Sequence, residues 1–298
     1  MRLAVTGAGG LLGSALLKEA KGRYETYALY CQHLPSSGTP LRVDLRDPES
    51  ITKTLFATRP DAIIHAAAMT DVDGCEREQT LADAVNHKAT EAIAECAREL
   101  GAFLVYVSTD YVFDGARGMY SEDDDSRPIN FYGRTKLEGE EAVRRLLPDH
   151  LIVRPSVIYG ATPSSGKVNF ALWVLDSLRQ RKQVNVVSDQ FVSPTLNSDL
   201  SEMVMECLEK RVVGTLHLSG ATRLSRFDFA SELCAAWSLD PSLITPVELS
   251  AMTWHAPRPK DSSLDVTKAG TLLSKKPPPV AESVKRLKRE LDLAGGAA

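Results

Sequence analysis

RLAVTGAGGLLGSALLKEA, residues 2–20, reads as a short apolar strand, a glycine turn and an amphipathic helix. Gly7, Gly10 and Gly13 follow the strand in a GxxGxxG pattern, with Gly9 as a further glycine. Such a turn brings backbone N–H groups close to a pyrophosphate at the positive end of the helix. The spacing departs from the GxGxxG of the common dinucleotide fingerprint, and a glycine turn can also exist without a ligand. Its place between a buried strand and an amphipathic helix favours nucleotide binding.

The alternation continues outward. Strands at 26–31, 41–43, 61–65, 104–107 and 151–154 are separated by helices that include 49–58, 79–100 and 132–147. In the 79–100 segment, Leu81, Val85, Ala89, Ile93, Cys96 and Leu100 recur every third or fourth position, which marks a core face. The expected fold class is α/β, a Rossmann-type parallel sheet with helices on both faces. Ligands of such a sheet bind beyond the C-terminal strand ends. The glycine turn, Ala66, Ala67 and Ala68, Thr109, and residues 155–159 all fall on that edge.

Smaller signals bear on the nucleotide. The strand at 26–31 ends in Tyr30, Cys31, Gln32 and His33, without the carboxylate that takes ribose hydroxyls in NAD enzymes. The extra phosphate of NADP is then admissible, but no arginine follows to grip it, so a weak preference for NADPH over NADH is expected. Asp44 can accept the adenine amine while Leu45 covers the ring; a helix cap or a loop aspartate is the other reading. Ala66, Ala67 and Ala68 are small enough for a cofactor, or a helix, to lie against them. Asn86 is either a buried hydrogen-bonding residue near the cofactor or an ordinary polar position.

The chemistry concentrates in residues 105–136, from VYVSTDYVFDG to NFYGRTK. Thr109 stands at a strand end, and Tyr132 and Lys136, four apart, share one helical face. An adjacent ammonium favours phenolate and lowers a tyrosine pKa of roughly 10. Thr109 can hydrogen-bond the reacting oxygen. Tyrosine and lysine also meet at this spacing on helices without chemistry, so the pair alone decides little.

Composition narrows the classes. A formal net charge of -4, without a lysine-rich tail, argues against a general nucleic-acid binder. The five scattered cysteines suit reduced, packed thiols better than disulfides or a zinc site. Neither a signal peptide nor an 18-residue apolar run is seen, so no membrane partner and a cytoplasmic location are expected. Beyond Gly160 the pattern loosens: helices at 169–181, 200–209 and 226–237, strands at 184–187 and 215–218, and the loop DQFVSPT at 189–195. RPKDSSLD, residues 258–265, has the composition of a solvated charged loop, though Arg258 and Lys260 can also line a phosphate pocket. Residues 1–160 are expected to form an NAD(P)-binding Rossmann domain. Residues 161–298 are expected to form mainly a smaller substrate lobe, with segments returning to the sheet.

Together, VTGAGGLLG, HAAAMTDVD, VSTDYVFDG, RPINFYGRTKLEGE, NFALWVL, SDQFVSPT and RPKDSSLD resemble the extended short-chain dehydrogenase/reductases over nearly the whole chain. Within that family the chain is similar to the dTDP-4-dehydrorhamnose reductases. The resemblance implies Thr109, Tyr132 and Lys136 as the catalytic set. It implies that Gly7, Gly10, Leu11, Leu12, Asp44, Leu45, Ala66, Ala67 and Ala68, with Tyr132 and Lys136, lie along NADPH or NADH. The implied partner is a nucleotide-linked 4-keto sugar held by the C-terminal segments, and a homodimer stays open. The family commonly places an aromatic residue at the Val157 position, so ring stacking on the sugar is lost here. Acidic residues that link some members through magnesium have no match, so no metal is expected. The chain also resembles the regulatory beta subunit of methionine adenosyltransferase, which would imply NADP binding without turnover.

Overall fold

The computed structural model describes residues 1–162 and 168–295. Part of the expected second lobe, residues 163–167 and 296–298, lies outside them. In chain order the elements are β1 (Arg2–Thr6), α1 (Leu11–Ala20), β2 (Glu25–Tyr30), β3 (Thr39–Arg42), α2 (Pro48–Thr58), β4 (Ala62–His65) and α3 (Val72–Arg77). There follow α4 (Gln79–Asp83), a π turn (Ala84–Lys88), α5 (Ala89–Leu100), β5 (Phe103–Val107), α6 (Phe131–Leu146), β6 (His150–Arg154) and β7 (Ile158–Tyr159). The remainder is α7 (Phe170–Arg179), β8 (Val184–Val187), β9 (Phe191–Val192), β10 (Thr195–Leu196), α8 (Asn197–Lys210) and β11 (Gly214–His217). The chain closes with β12 (Leu224–Ser225), α9 (Arg226–Ala236), β13 (Ile244–Val247), α10 (Thr267–Leu272) and α11 (Val280–Gly295).

Seven strands pair in parallel in the order β11-β6-β5-β4-β1-β2-β3, the Rossmann-type sheet read from the sequence. Every residue of β4, β5 and β6 is buried, because helices cover both faces. Strand alternation distributes neighbouring side chains between two cores. Leu3 and Val5 meet α1 and α8 through Leu16, Leu17, Met203 and Val204. Ala4, Ile63 and Leu104 meet α2, α5 and α6 through Leu55, Ile93 and Val143.

The single helix expected over 79–100 is interrupted by the π turn, whose cause is tertiary. Buried Asn86 accepts from the Met69 N–H at 2.8 Å and donates to the Met69 carbonyl at 3.1 Å, clamping the loop after β4. One extra residue in the turn aims that side chain inward. Of the two readings of Asn86, the buried one holds.

A third core joins Tyr159, Leu175, Val184, Phe229, Leu233, Ile244 and Val284 under short strand pairs β10-β7, β12-β9 and β13-β8. Between these pieces the chain returns to the large sheet, where β11 adds to β6 and α8 packs on α1. None of the helices among the described residues is long and apolar enough to cross a membrane. Four of the five cysteines are buried and Cys31 is exposed.

Candidate active site

One cavity of about 740 Å³ opens at the C-terminal strand ends. Its lining brings together nearly all the residues expected there: Gly7, Gly10, Leu11, Leu12, Asp44, Leu45, Ala66, Ala67, Ala68, Thr109, Tyr132 and Lys136.

The glycine turn explains its own spacing. Gly7 has φ +67°, a left-handed conformation, and a Cβ there would stand 2.8 Å from the Ala67 backbone. A Cβ at Gly13 would stand 2.1 Å from the Gly7 carbonyl oxygen, so the first turn of α1 can lie on the loop only without a side chain. These close approaches leave a shallow cradle, walled by Ala66, Ala67 and Ala68, that fits a flat dinucleotide. His65 beneath it is fully buried between Thr6 Oγ1 at 2.7 Å and Thr90 Oγ1 at 3.0 Å. Burial, helped by the Lys136 charge, lowers its pKa to about 3.

At the far end of the cradle, Asp44 is not the helix cap. Asp47 caps α2 by accepting from the Glu49 and Ser50 N–H groups. Asp44 instead pairs with Arg46, whose Nε lies 2.9 and 3.0 Å from its two oxygens, and hydrogen bonding to Arg46 holds its pKa near about 2. Arg46 itself lines the cavity with Tyr30, Cys31, Gln32 and His33, correcting the expectation that this strand end has no arginine nearby. The sequence reading looked only past β2, whereas Arg46 arrives from the loop after β3.

Tyr132 and Lys136 sit on the first two turns of α6, started by Asn130, which caps it by accepting from the Gly133 N–H at 2.8 Å. Lys136 is only 1% exposed; its Nζ donates to the Val107 carbonyl at 2.8 Å and lies 4.2 Å from the Tyr106 ring centroid. Burial lowers its pKa to about 7, against the pull of Glu140. The Tyr132 phenol is raised above its ordinary range by burial, and Thr109 opposes the shift by hydrogen bonding. The expected lowering of the tyrosine by Lys136 is therefore not found. Its ammonium is directed at Val107 and Tyr106, and desolvation of the phenol wins.

Thr109 is positioned by its neighbours. Its hydroxyl accepts from the Tyr111 N–H at 3.2 Å and donates to Asp110 Oδ1 at 3.1 Å. The other oxygen of buried Asp110 accepts from Ser156 at 2.8 Å and Ser262 at 2.6 Å. One carboxylate thus ties the end of β5 to the loop after β6 and to the RPKDSSLD segment. That segment corrects the solvated reading: Asp261, Ser262, Ser263 and Leu264 are buried, and Arg258 is committed to Asp73 at 3.1 Å. Its polar composition serves internal hydrogen bonds, a distinction composition does not carry. Lys260 is exposed and Val157 lines the cavity, with φ +39°, a left-handed conformation rare for a β-branched residue. Asp110 and Arg226 also belong to this region and were not singled out by sequence, where only the VSTD run hinted at Asp110; Ser156 was included only within the 155–159 stretch. Away from the cavity, half-buried Asp83, His87 and Glu138 bring ligand-type atoms within 4.8 Å of one another; the first two stand four residues apart, and Glu138 joins them from α6.

Comparison with known proteins follows the same outline. A family model described as RmlD substrate binding domain matches residues 1–293. The chain is 36% identical, over 88% of its length and 89% of the relative's, to the Haloferax volcanii protein named "Probable low-salt glycan biosynthesis reductase Agl14". It is 32% identical to methionine adenosyltransferase 2 subunit beta of Rattus norvegicus, covering 91% of this chain and 82% of that one. A crystal structure of dTDP-4-dehydrorhamnose reductase from Bacillus anthracis in complex with NADP superposes with a TM-score of 0.87 at 32% identity, over 97% of this chain and 99% of that one.

Proposed function

The chain belongs to the RmlD substrate-binding-domain family, and from that premise we propose that it is an NAD(P)H-dependent dTDP-4-dehydrorhamnose reductase. The reaction is reduction of the 4-keto group of dTDP-4-dehydro-L-rhamnose to dTDP-L-rhamnose. One observation carries the reading: Thr109, Tyr132 and Lys136 share a single cavity with the glycine cradle.

The cradle and its alanine wall suit the dinucleotide, which supplies a hydride when bound. Gly7, Gly10, Leu11 and Leu12 would hold its phosphates, Asp44 and Leu45 its adenine, and Lys136 its nicotinamide ribose. Tyr132 donates the proton to the alkoxide oxygen formed at C4, since burial keeps the phenol protonated beforehand. Thr109 hydrogen-bonds that oxygen by turning its single O–H proton from Asp110 to the substrate, while its oxygen still accepts from the Tyr111 N–H. Lys136, its pKa lowered to about 7 by burial, would donate to the ribose hydroxyls, and its positive charge would stabilise the phenolate left behind. Segments after Gly160 that do not return to the sheet form the nucleotide-sugar lobe.

Arg46 gives a route to the NADP phosphate, but its pairing with Asp44 keeps the preference for NADPH weak. The expected ratio of dissociation constants is below about 100, or about 2.7 kcal/mol. The deciding assay follows reduced-nicotinamide absorbance with dTDP-4-dehydro-L-rhamnose and with the free sugar. Oxidation that depends on the nucleotide-linked sugar supports the reading. Equal rates with the free sugar would reject the nucleotide-binding lobe. Inactivity across thymidine- and uridine-linked 4-keto sugars, with tight NADP binding and a stable complex with methionine adenosyltransferase, would favour the regulatory role that the second sequence resemblance implies.

A further inference from the structure

Of the two cations that the sequence offered for a charged substrate, Arg258 is consumed elsewhere and Lys260 is exposed. Arg258 pairs with Asp73, and Arg223 pairs with Asp261 at 2.6 Å. Arg226 differs. It begins α9 and its side chain lines the cavity beside Tyr111 and Asn169. Among the described residues it joins no ion pair.

Its aim is fixed by neutral groups. The Arg226 backbone N–H donates to the Gln190 carbonyl at 3.1 Å, and Nε donates to Gln190 Oε1 at 2.6 Å. Gln190 is fully buried, with its amide nitrogen donating to the Pro259 carbonyl at 3.2 Å. The guanidinium carbon lies 5.3 Å from the Phe170 ring centroid. The buried Asp110 carboxylate feels its charge, but the Asp110 oxygens already accept from Thr109, Ser156 and Ser262. A guanidinium has five N–H donors in a fixed fork, so with Nε on Gln190 and one donor on the Tyr111 hydroxyl, the remaining N–H groups of the terminal nitrogens are left for a planar or tetrahedral oxyanion. The charge is also near the chemistry, because Arg226 acts on the Tyr111 hydroxyl and the Tyr111 ring lies 6.0 Å from that of Tyr132.

We propose that Arg226 is a specificity-determining residue that binds an oxyanion of the substrate, either the diphosphate of the nucleotide or a carboxylate on the sugar. This rests on the nucleotide-sugar reading and adds the residue that selects for charge. Orienting an anion in the cavity that also holds the proton donor converts remote binding energy into alignment of the ketone.

The test is calorimetric titration of the NADP-loaded protein and its Arg226→Gln and Arg226→Lys variants with four probes: dTDP, dTMP, UDP-glucuronate and UDP-glucose. If the diphosphate is the ligand, Arg226→Gln weakens dTDP at least about tenfold, and Arg226→Lys recovers part of the loss. If the carboxylate is the ligand, the wild type prefers UDP-glucuronate over UDP-glucose, and Arg226→Gln erases that preference while sparing dTDP. NADPH affinity stays within about twofold in either case. Should Arg226→Gln fail to fold, Arg226→Lys carries the test, because an ammonium lacks the fork and must still weaken the preferred probe. Wild-type affinity of both variants for all four probes would overturn the proposal and leave the reductase reading intact. A wild-type protein that binds NADPH but none of the four would remove the reductase reading and the proposal with it.

Discussion

The two walls of the cavity are made in opposite ways. The wall proposed for the cofactor is backbone and small side chains: the turn at Gly7–Gly13, packed so closely that added Cβ atoms would overlap main chain, and three alanines after β4. The other wall is buried polar side chains, with Asp110 collecting hydroxyls from residues 109, 156 and 262, and Gln190 clamping Arg226. The first is specified within one contiguous stretch; the second exists only after distant segments meet. A backbone wall is intolerant of volume, and a hydrogen-bonded wall is intolerant of losing a partner. Substitutions on the two sides should therefore fail differently.

The seam between the walls should give the largest effect. Tyr132→Phe is expected to lower kcat at least about 100-fold with NADPH affinity nearly unchanged, measured by steady-state kinetics and fluorescence titration. Near-normal turnover would remove Tyr132 as the acid.

On the cofactor wall, Gly13→Ala sets a Cβ 2.1 Å from the Gly7 carbonyl oxygen, with no flexible side chain to yield. NADPH affinity should fall at least about tenfold, with a loss of roughly 1–3 kcal/mol in denaturant stability. Gly270→Ala is the control, since its Cβ would meet nothing within 4 Å. That variant should hold wild-type affinity and gain up to about 1 kcal/mol.

On the polar wall, Ser262→Ala strips one donor from the buried Asp110 carboxylate. A cost of about 1–3 kcal/mol is expected, with KM for the sugar nucleotide raised and NADPH affinity kept within about twofold. If Ser262→Ala damaged NADPH binding as much as Gly13→Ala, the division between walls would be wrong.

The smallest effect is a slope. His65, near about 3, and His217, near about 4, are both held below the ordinary histidine value mainly by burial. Between those values and about 6.5 the unfolded chain binds more protons than the folded one, so stability rises with pH there and is lost as pH falls. Each group contributes at most about 1.4 kcal/mol per pH unit. Denaturant midpoints from pH 7 to 4 should fall, and His65→Asn should flatten the decline even if it lowers stability throughout.

The contrast between the walls also explains what was legible beforehand. Residues 2–20 carry strand, turn and helix in one local pattern, and the apolar runs of β4, β5 and β6 announce burial on both faces. The Thr109, Tyr132 and Lys136 cluster could be placed because each stands at a recognisable element end. The π turn could not, since it answers to Met69 through Asn86. Ser262 and Asp261 looked solvated because composition records polarity, not partners. Arg226 looked like an ordinary helix start because its significance lies in Gln190 and Tyr111, from elsewhere in the chain. The Tyr132 phenol moved against expectation because proximity along a helix does not fix where a lysine head points.

The return of β11 to the edge of β6 also has a consequence for synthesis on the ribosome. When residue 154 emerges, the sheet has an open, fully buried-type edge, and α1 lacks the apolar face of α8. The missing strand arrives only at residue 217, roughly several seconds later at about 5–20 residues per second. For that interval the nascent chain offers an unpaired strand of aliphatic residues, a template for pairing with another chain. Slower translation before β11 should lengthen exposure and lower soluble yield without altering the finished protein, whereas supplying residues 161–298 in trans should protect a stalled N-terminal half.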